Sequence, residues 1–251
     1  MSTPDPQAAA ARAVELQRNY LRNPLPPGEG ICRTCRSNAG PGFQYCYPCS
    51  RHRSAANGRL ADLVVPVAYS VKGTQHAHNL IVYKAVQPST AAQYNLSALG
   101  LLFLSIHWSC LTGALRGGLT HVATVPSTRG RQGPHPLETI LASRLGLPAV
   151  ACVPNAAYTN EDRDFHQDRF AVVTAVTGAR VLLLDDTWTT GARVQSVAFA
   201  LKQAGAVAVV AVVLGRHVNP QYDAAGPFVA RLRDAGPFDL NRCALDDAPG
   251  R

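Results

Sequence analysis

Between Thr120 and Gly215 the apolar positions fall into short runs separated by amphipathic stretches. THVATVP reads as a strand, HPLETILASRL as a helix and AVACVP as a strand; a polar loop then runs to Asp168. RFAVV and ARVLLLDD read as strands, TTGARVQSVAFALKQAG as a helix and AVAVVAVVLG as a strand. Alternation of this kind predicts an α/β fold, a parallel sheet with helices on its faces. Upstream, RLADLVVPVAYSVKGTQHAHNLIVYK has strand-like Val and Tyr content, turns helical and ends in a lysine-bearing turn. From Tyr94, YNLSALGLLFLSIHWSCLTGAL is long, apolar and free of proline, which predicts a buried helix with His107, Trp108 and Cys110 in the core. AAAARAVELQRNYLRN predicts a short helix, broken by NPLPPGEG. Two units follow: an N-terminal module over residues 1–55 and an α/β domain over 56–251.

A chain of 251 residues that is 47% apolar can bury a substantial core. Its net charge of +8 suits an anionic ligand: nucleic acid, nucleotide or pyrophosphate. The N-terminus has neither the cationic start nor the continuous apolar segment of a secretory signal. AVAVVAVVLG, the longest apolar run, falls short of the roughly 18 residues a bilayer span needs. A cytoplasmic protein without a membrane partner is expected.

Cys32, Cys35, Cys46 and Cys49 form two CxxC pairs around a Gly/Pro-rich loop, while Cys110, Cys152 and Cys243 stand alone. Four soft thiolates at that spacing can fill the valences of one tetrahedral, structural Zn²⁺; the alternative is two buried or redox pairs without metal.

The stretch VLLLDDTWTTGARVQS carries the chemistry. Its apolar strand ends in Asp185 and Asp186, and ligands of open α/β sheets bind outside the carboxyl ends of the strands. Thr189, Thr190 and Gly191 then open a helix, whose free amides and dipole favour phosphate. The two acids would repel a bare phosphate; they make sense as acceptors for sugar hydroxyls or as help in holding a divalent cation. The ligand so described is a sugar phosphate with Mg²⁺. Neither GxxxxGK[ST] nor a GxGxxG after a strand is present. An aspartate capping a helix would account for one acid, but not for two acids and TTG together.

VLLLDDTWTTGA resembles the phosphoribosyl pyrophosphate (PRPP) motif of type I phosphoribosyltransferases. The cysteine module, the YSVKG and VYK segments and the DRF step make the layout similar to the ComF-like, amidophosphoribosyltransferase-related group. The resemblance implies a type I phosphoribosyltransferase-like domain, with a hood at about 59–90, a core at about 94–218 and a tail at 219–251, behind a small zinc-ribbon module. It assigns Asp185 and Asp186 to the ribose hydroxyls and Thr189, Thr190, Gly191, Ala192 and Arg193 to the loop around the 5-phosphate, with Thr187 as a further substrate contact. VPSTRGR takes the place of the pyrophosphate loop, with Ser127 as a contact and Arg129 and Arg131 as cationic donors. Asp185, Asp186, Arg129 and Arg131 are the expected catalytic residues. NAAYTNEDRDFHQDRF fits the flexible lid, with Arg163 as its candidate contact. Tyr69, Lys72 and Lys84 are candidates to face the pocket from the hood, and His76 and His78 are expected as surface or hood residues rather than as a second metal site.

Two positions depart from the pattern. Trp188 replaces a usually aliphatic residue, and its ring would either pack into the sheet or narrow the nucleobase side of the pocket. Thr189 stands where purine salvage enzymes carry an aspartate base, and a hydroxyl has no useful basicity near neutral pH. The implied enzyme is a pentosyl-transferring glycosyltransferase acting from Mg-PRPP on a small-molecule acceptor, an amine or nucleobase, as a homodimer. The alternative is a non-catalytic PRPP-fold binding or regulatory protein whose basic surface makes weak contacts with single-stranded nucleic acid, as in DNA uptake or competence.

Overall fold

A computed structural model of the chain describes residues 5–115, 117–127, 133–222 and 225–245. In chain order the elements are helices α1 (Pro6–Gln17) and α2 (Tyr47–Ala55), strand β1 (Leu63–Val71), helices α3 (Gln75–Val82) and α4 (Thr90–Gly113), and strand β2 (His121–Thr124). Helix α5 (Pro136–Ile140), strands β3 (Ala149–Val150), β4 (Cys152–Pro154), β5 (Phe170–Val172) and β6 (Arg180–Trp188), helix α6 (Ala192–Gln203), strand β7 (Ala208–Val218) and helix α7 (Gly226–Asp234) follow. Local chemistry sets several of the starts. Asp5 Oδ1 accepts from Gln7 N–H ahead of Pro6 in α1, and Ser89 Oγ accepts from Ala92 N–H in α4, each supplying an acceptor to an amide the helix leaves unpaired.

The main sheet is five-stranded and wholly parallel, in the order β1-β7-β6-β2-β3. Successive side chains of β6 and β7 point to opposite faces. Leu182, Leu184, Val210 and Val212 pack with Leu96, Leu99 and Phe103 of α4 on one face. Val181, Leu183, Val209 and Ala211 pack with Val194, Val197 and Leu201 of α6 on the other. Both faces are therefore dry, which is why these strands read as continuous apolar runs. Helix α4 is long and apolar enough to cross a membrane, but more than half of its most apolar window is buried inside the protein. Helix α1 lies against α4, and the four cysteines of the N-terminal segment join the core on the α6 side.

RFAVV does not join this sheet. β5 pairs antiparallel with β4 in a separate two-stranded sheet. A parallel neighbour needs a long crossover, usually helical, and the segment between β4 and β5 contains no helix, so the chain folds straight back as a hairpin. The tail also contains an element its sequence did not announce: α7 packs Phe228 and Leu232 against Tyr69 and Leu25.

The strand order makes the crevice. From β2 the chain moves outward to β3, and then returns to place β6 on the other flank of β2, so the topological switch lies between β2 and β6. In their register Thr124 stands beside Leu184, and Val125 N–H donates to the Leu184 carbonyl at 3.0 Å, so β2 ends level with the residue before Asp185. Such switch points are where doubly wound sheets bind ligands.

Candidate functional site

Asp185 and Asp186 are neighbours on a strand, so they project to opposite faces and meet different surroundings. Asp186 is buried on the side of α3, where the Tyr83 hydroxyl donates to Oδ2 and Lys84 Nζ lies 2.6 Å from the same atom. His135 Nε2 is 3.9 Å from it. Burial opposes ionisation of Asp186, but Lys84, Tyr83 and His135 together hold its pKa below the ordinary carboxylate value. Asp185 is only partly covered, and among the described residues its Oδ1 accepts from Asp186 N–H at 2.9 Å. Desolvation and the charge of Asp186 raise its pKa, so Asp186 is the acid of the pair that ionises first.

Past the acids the strand runs into the turn before α6. Gly191 adopts the left-handed conformation, φ +82°, and a Cβ there would lie 2.0 Å from Trp188 Cζ2. The indole is 1% exposed and fills the space directly beneath the turn, which resolves the two readings of Trp188 in favour of packing. Gly191 is therefore demanded by the protein's own packing before any ligand is considered. The Thr190 hydroxyl accepts from Ala192 N–H at 3.3 Å and donates to the Arg163 carbonyl at 3.0 Å. Thr189 is exposed, Thr187 half-buried and Ala192 buried.

The polar segment expected as a lid lies over this turn. Arg193 Nη2 donates to both the carbonyl and the Oδ1 of Asn160, at 2.8 and 2.6 Å, and His166 N–H donates to Ser196 Oγ at 3.1 Å. At the centre of the segment is Arg169, 0% exposed, whose guanidinium donates to Asp162 Oδ1 and to the carbonyls of Thr159, Asp162 and Asp164. Arg193 thus holds this segment at Asn160, while the Arg163 side chain is exposed.

Ser127 lines a cavity of about 810 Å³ beside the acids, with Thr124, His135, Cys152, Tyr158 and Asn160 among the other walls. The acids and the Thr-Thr-Gly turn lie outside its lining; His135 connects the two regions, since it lines the cavity and faces Asp186. Its Nδ1 accepts from Leu137 N–H, which leaves Nε2–H directed toward the carboxylate. Arg129 and Arg131 lie outside the described residues.

Of the hood residues, Lys84 reaches the site. Tyr69 does not: it is buried, its hydroxyl donating to the Arg36 carbonyl and accepting from Leu25 N–H, because every inner position of β1 is covered. Lys72 is exposed and donates to Gln221 Oε1. Of the two histidines expected at the surface or in the hood, His76 lies inside α3. It is fully buried, with Nε2 donating to the Leu214 carbonyl, while His78 is exposed. Tyr83, His135 and Arg169 were not singled out from sequence. Tyr83 adjoins Lys84, and His135 opens α5 at the end of the loop after β2, the two signals that could have drawn them in.

The Sγ atoms of Cys32, Cys35, Cys46 and Cys49 are buried and lie within 4.8 Å of one another, with Cys35 and Cys46 3.7 Å apart. A tetrahedral Zn²⁺ with bonds of about 2.3 Å holds its sulfurs about 3.8 Å apart, so the cluster could hold a structural zinc. Burial opposes a thiolate at Cys35, but hydrogen bonds from Cys32, Cys46 and Cys49 draw its pKa well down. Hydrogen bonding with Cys32 and Cys35 pushes Cys46 and Cys49 up. Arg216, buried between this cluster and the turn, donates to the Trp188 carbonyl at 3.0 Å, and the Cys35 sulfur raises its pKa against the effect of burial.

Compared with known proteins, the chain matches no protein-family model and no curated protein.

Proposed function

We propose that the chain is a type I phosphoribosyltransferase-like protein that binds PRPP at the carboxyl end of β6 and passes its phosphoribosyl group to an amine or nucleobase, releasing pyrophosphate. The observation that supports this most is the meeting of three features at the switch point between β2 and β6: the two acids, the glycine turn opening α6, and the loop leaving β2. Asp185 is the acid with free acceptor capacity and takes a ribose hydroxyl. Asp186, anchored by Lys84 and Tyr83, supplies the fixed charge that a cationic transition state at C1 requires. The turn and the first amides of α6 take the 5-phosphate, and the loop from Ser127 takes pyrophosphate. Mg²⁺ enters as part of the substrate complex, on the phosphates, because Asp186 Oδ2 is already engaged. No carboxylate stands at Thr189 to take a proton, so an amine, nucleophilic without a base, is the preferred acceptor. Catalysis then rests on positioning and charge. The cysteine cluster is read as a structural Zn²⁺ site beneath the turn.

Titration calorimetry with Mg-PRPP tests this reading. Asp185→Asn keeps shape, leaves the Lys84 pair intact and, above the raised pKa of about 8 at which Asp185 ionises, removes charge-assisted bonding of about 1.5 to 3 kcal/mol, or roughly ten- to a hundredfold in affinity. Unchanged affinity in that variant refutes the ribose assignment, and a pyrophosphate-release screen over amines and nucleobases identifies the acceptor.

A second reading has one specific observation behind it. Tyr47 and Phe43 are exposed on the cysteine module, and the Arg51 and Arg53 guanidinium groups lie over the rings of Tyr47 and Tyr45 at 5.8 and 4.3 Å. Aromatic faces interleaved with cations suit single-stranded nucleic acid. Binding that falls steeply with salt supports it; no binding at low salt removes it.

A further inference from the structure

The other cysteines are not all scattered in the fold. His107 and Cys110, three apart on α4, present their ligand atoms to one side of the helix, where Cys243 of the C-terminal segment meets them. His107 Nδ1 and the two Sγ atoms all lie within 4.8 Å of one another, and Nδ1 is 3.9 Å from Cys110 Sγ. A tetrahedral ion with ordinary Zn–N and Zn–S bonds holds such a pair about 3.6 Å apart, so this pair stands within a few tenths of an ångström of the separation a bound ion imposes. The histidine is already oriented as a ligand: Nε2 donates to the Leu240 carbonyl at 2.8 Å, fixing the tautomer that leaves the Nδ1 lone pair toward the sulfurs. Leu245 N–H donates to Cys243 Sγ at 3.2 Å, the kind of contact that favours a thiolate. His107 and Cys243 are buried. The segment bearing Cys243 is held where the site needs it. Asn23 and Asp239 exchange two hydrogen bonds of 2.8 Å, and Arg36 Nη2 donates to the Ala244 carbonyl at 2.6 Å.

We propose that His107, Cys110 and Cys243 form a second metal site, for a thiophilic d¹⁰ cation, that pins the C-terminal segment to α4. One imidazole and two thiolates suit Zn²⁺ with one further ligand, or three-coordinate Cu⁺. The site is separate from the cysteine cluster near the turn and does not depend on the PRPP reading.

Co²⁺ titration of the full chain, reduced and stripped of metal, is the test, followed through the thiolate-to-cobalt charge-transfer band. Wild type should take two equivalents, one for each cluster. Cys110→Ser should take one and lose about a third of the charge-transfer intensity, two of six thiolates being lost with the site. His107→Gln should also take one, and circular dichroism verifies that both variants fold. Competition with Zn²⁺ and with chelator-buffered Cu⁺ then identifies the preferred ion. One equivalent and equal intensity in wild type and both variants overturns the proposal. So does a Cys110–Cys243 disulfide recovered by mass spectrometry from freshly prepared protein in place of metal.

Discussion

Gly191→Ala probes what holds the turn before α6. At φ +82° an L-residue costs about 1 to 2 kcal/mol. The added methyl would also lie 2.0, 2.1 and 2.7 Å from Cζ2, Cε2 and Cη2 of Trp188, an overlap that forces the indole or the turn to move at a further cost of about 1 to 3 kcal/mol. The single variant should therefore lose roughly 2 to 5 kcal/mol. Trp188→Ala alone should lose about 3 to 5 kcal/mol to its cavity, offset in part because the indole N–H has no hydrogen-bond partner among the described residues. In the double variant the steric cost disappears and the dihedral cost persists, so its total loss should be smaller than the sum by about 1 to 3 kcal/mol. Urea unfolding of the four proteins at equal slope measures this coupling. A coupling below about 0.5 kcal/mol would refute the claim that Gly191 is required by the ring beneath it. It would return the glycine's role to ligand approach. If the claim holds and the turn is the proposed phosphate site, Gly191→Ala weakens phosphate binding by distorting the turn, and adding Trp188→Ala restores part of it.

His52 and His76 are buried, and desolvation holds each pKa down at about 4, below the ordinary 6.5. The unfolded chain then binds more protons between these values, so stability is full above pH 6.5 and falls toward pH 4, by about 3 kcal/mol for each group; urea midpoints against pH should fall less steeply in His76→Gln, and an unaltered slope refutes the assignment. Arg169→Met strands the acceptors of Asp162, Thr159 and Asp164, which should cost the lid about 3 to 5 kcal/mol and open residues 156–168 to limited proteolysis; wild-type cleavage rates would show that the guanidinium does not staple the segment. Cys35→Ser should remove about one equivalent of bound zinc and lower the melting temperature, and metal analysis that finds no change contradicts a four-thiolate site.

Elements whose character is local were readable in advance. The run of β6 into Asp185 and Asp186, the Thr-Thr-Gly start of α6 and the long apolar α4 each carry their own pattern, and each stands where it was expected. β1 shows the limit. All its inner positions are buried, so it lacks the alternation that tells one face from another, and nothing in AYSVKG separates a Tyr69 that looks into a pocket from one that caps the Arg36 carbonyl inside the core. β5 fails for another reason: three residues specify extension but not a partner, and the partner was set by the absence of a helix after β4.

The acids divide along the same line. That Asp185 and Asp186 face opposite ways follows from the two-residue period of a strand, and so was implicit in the sequence. Which of them would be free was not, because it depends on α3 delivering Tyr83 and Lys84, about a hundred positions earlier in the chain, to one face and not the other. The outcome alters the chemistry. Two equivalent carboxylates would repel each other and any incoming phosphate alike, whereas a clamped anion beside a readily protonated neighbour separates the two tasks. On the proposed reading, Asp186 holds charge and shape, and Asp185 exchanges partners with the ligand. A variant series that treats the pair as interchangeable would therefore misread the site: Asp186→Asn unsettles Lys84 and the hood along with the ligand, while Asp185→Asn reports on the ligand alone.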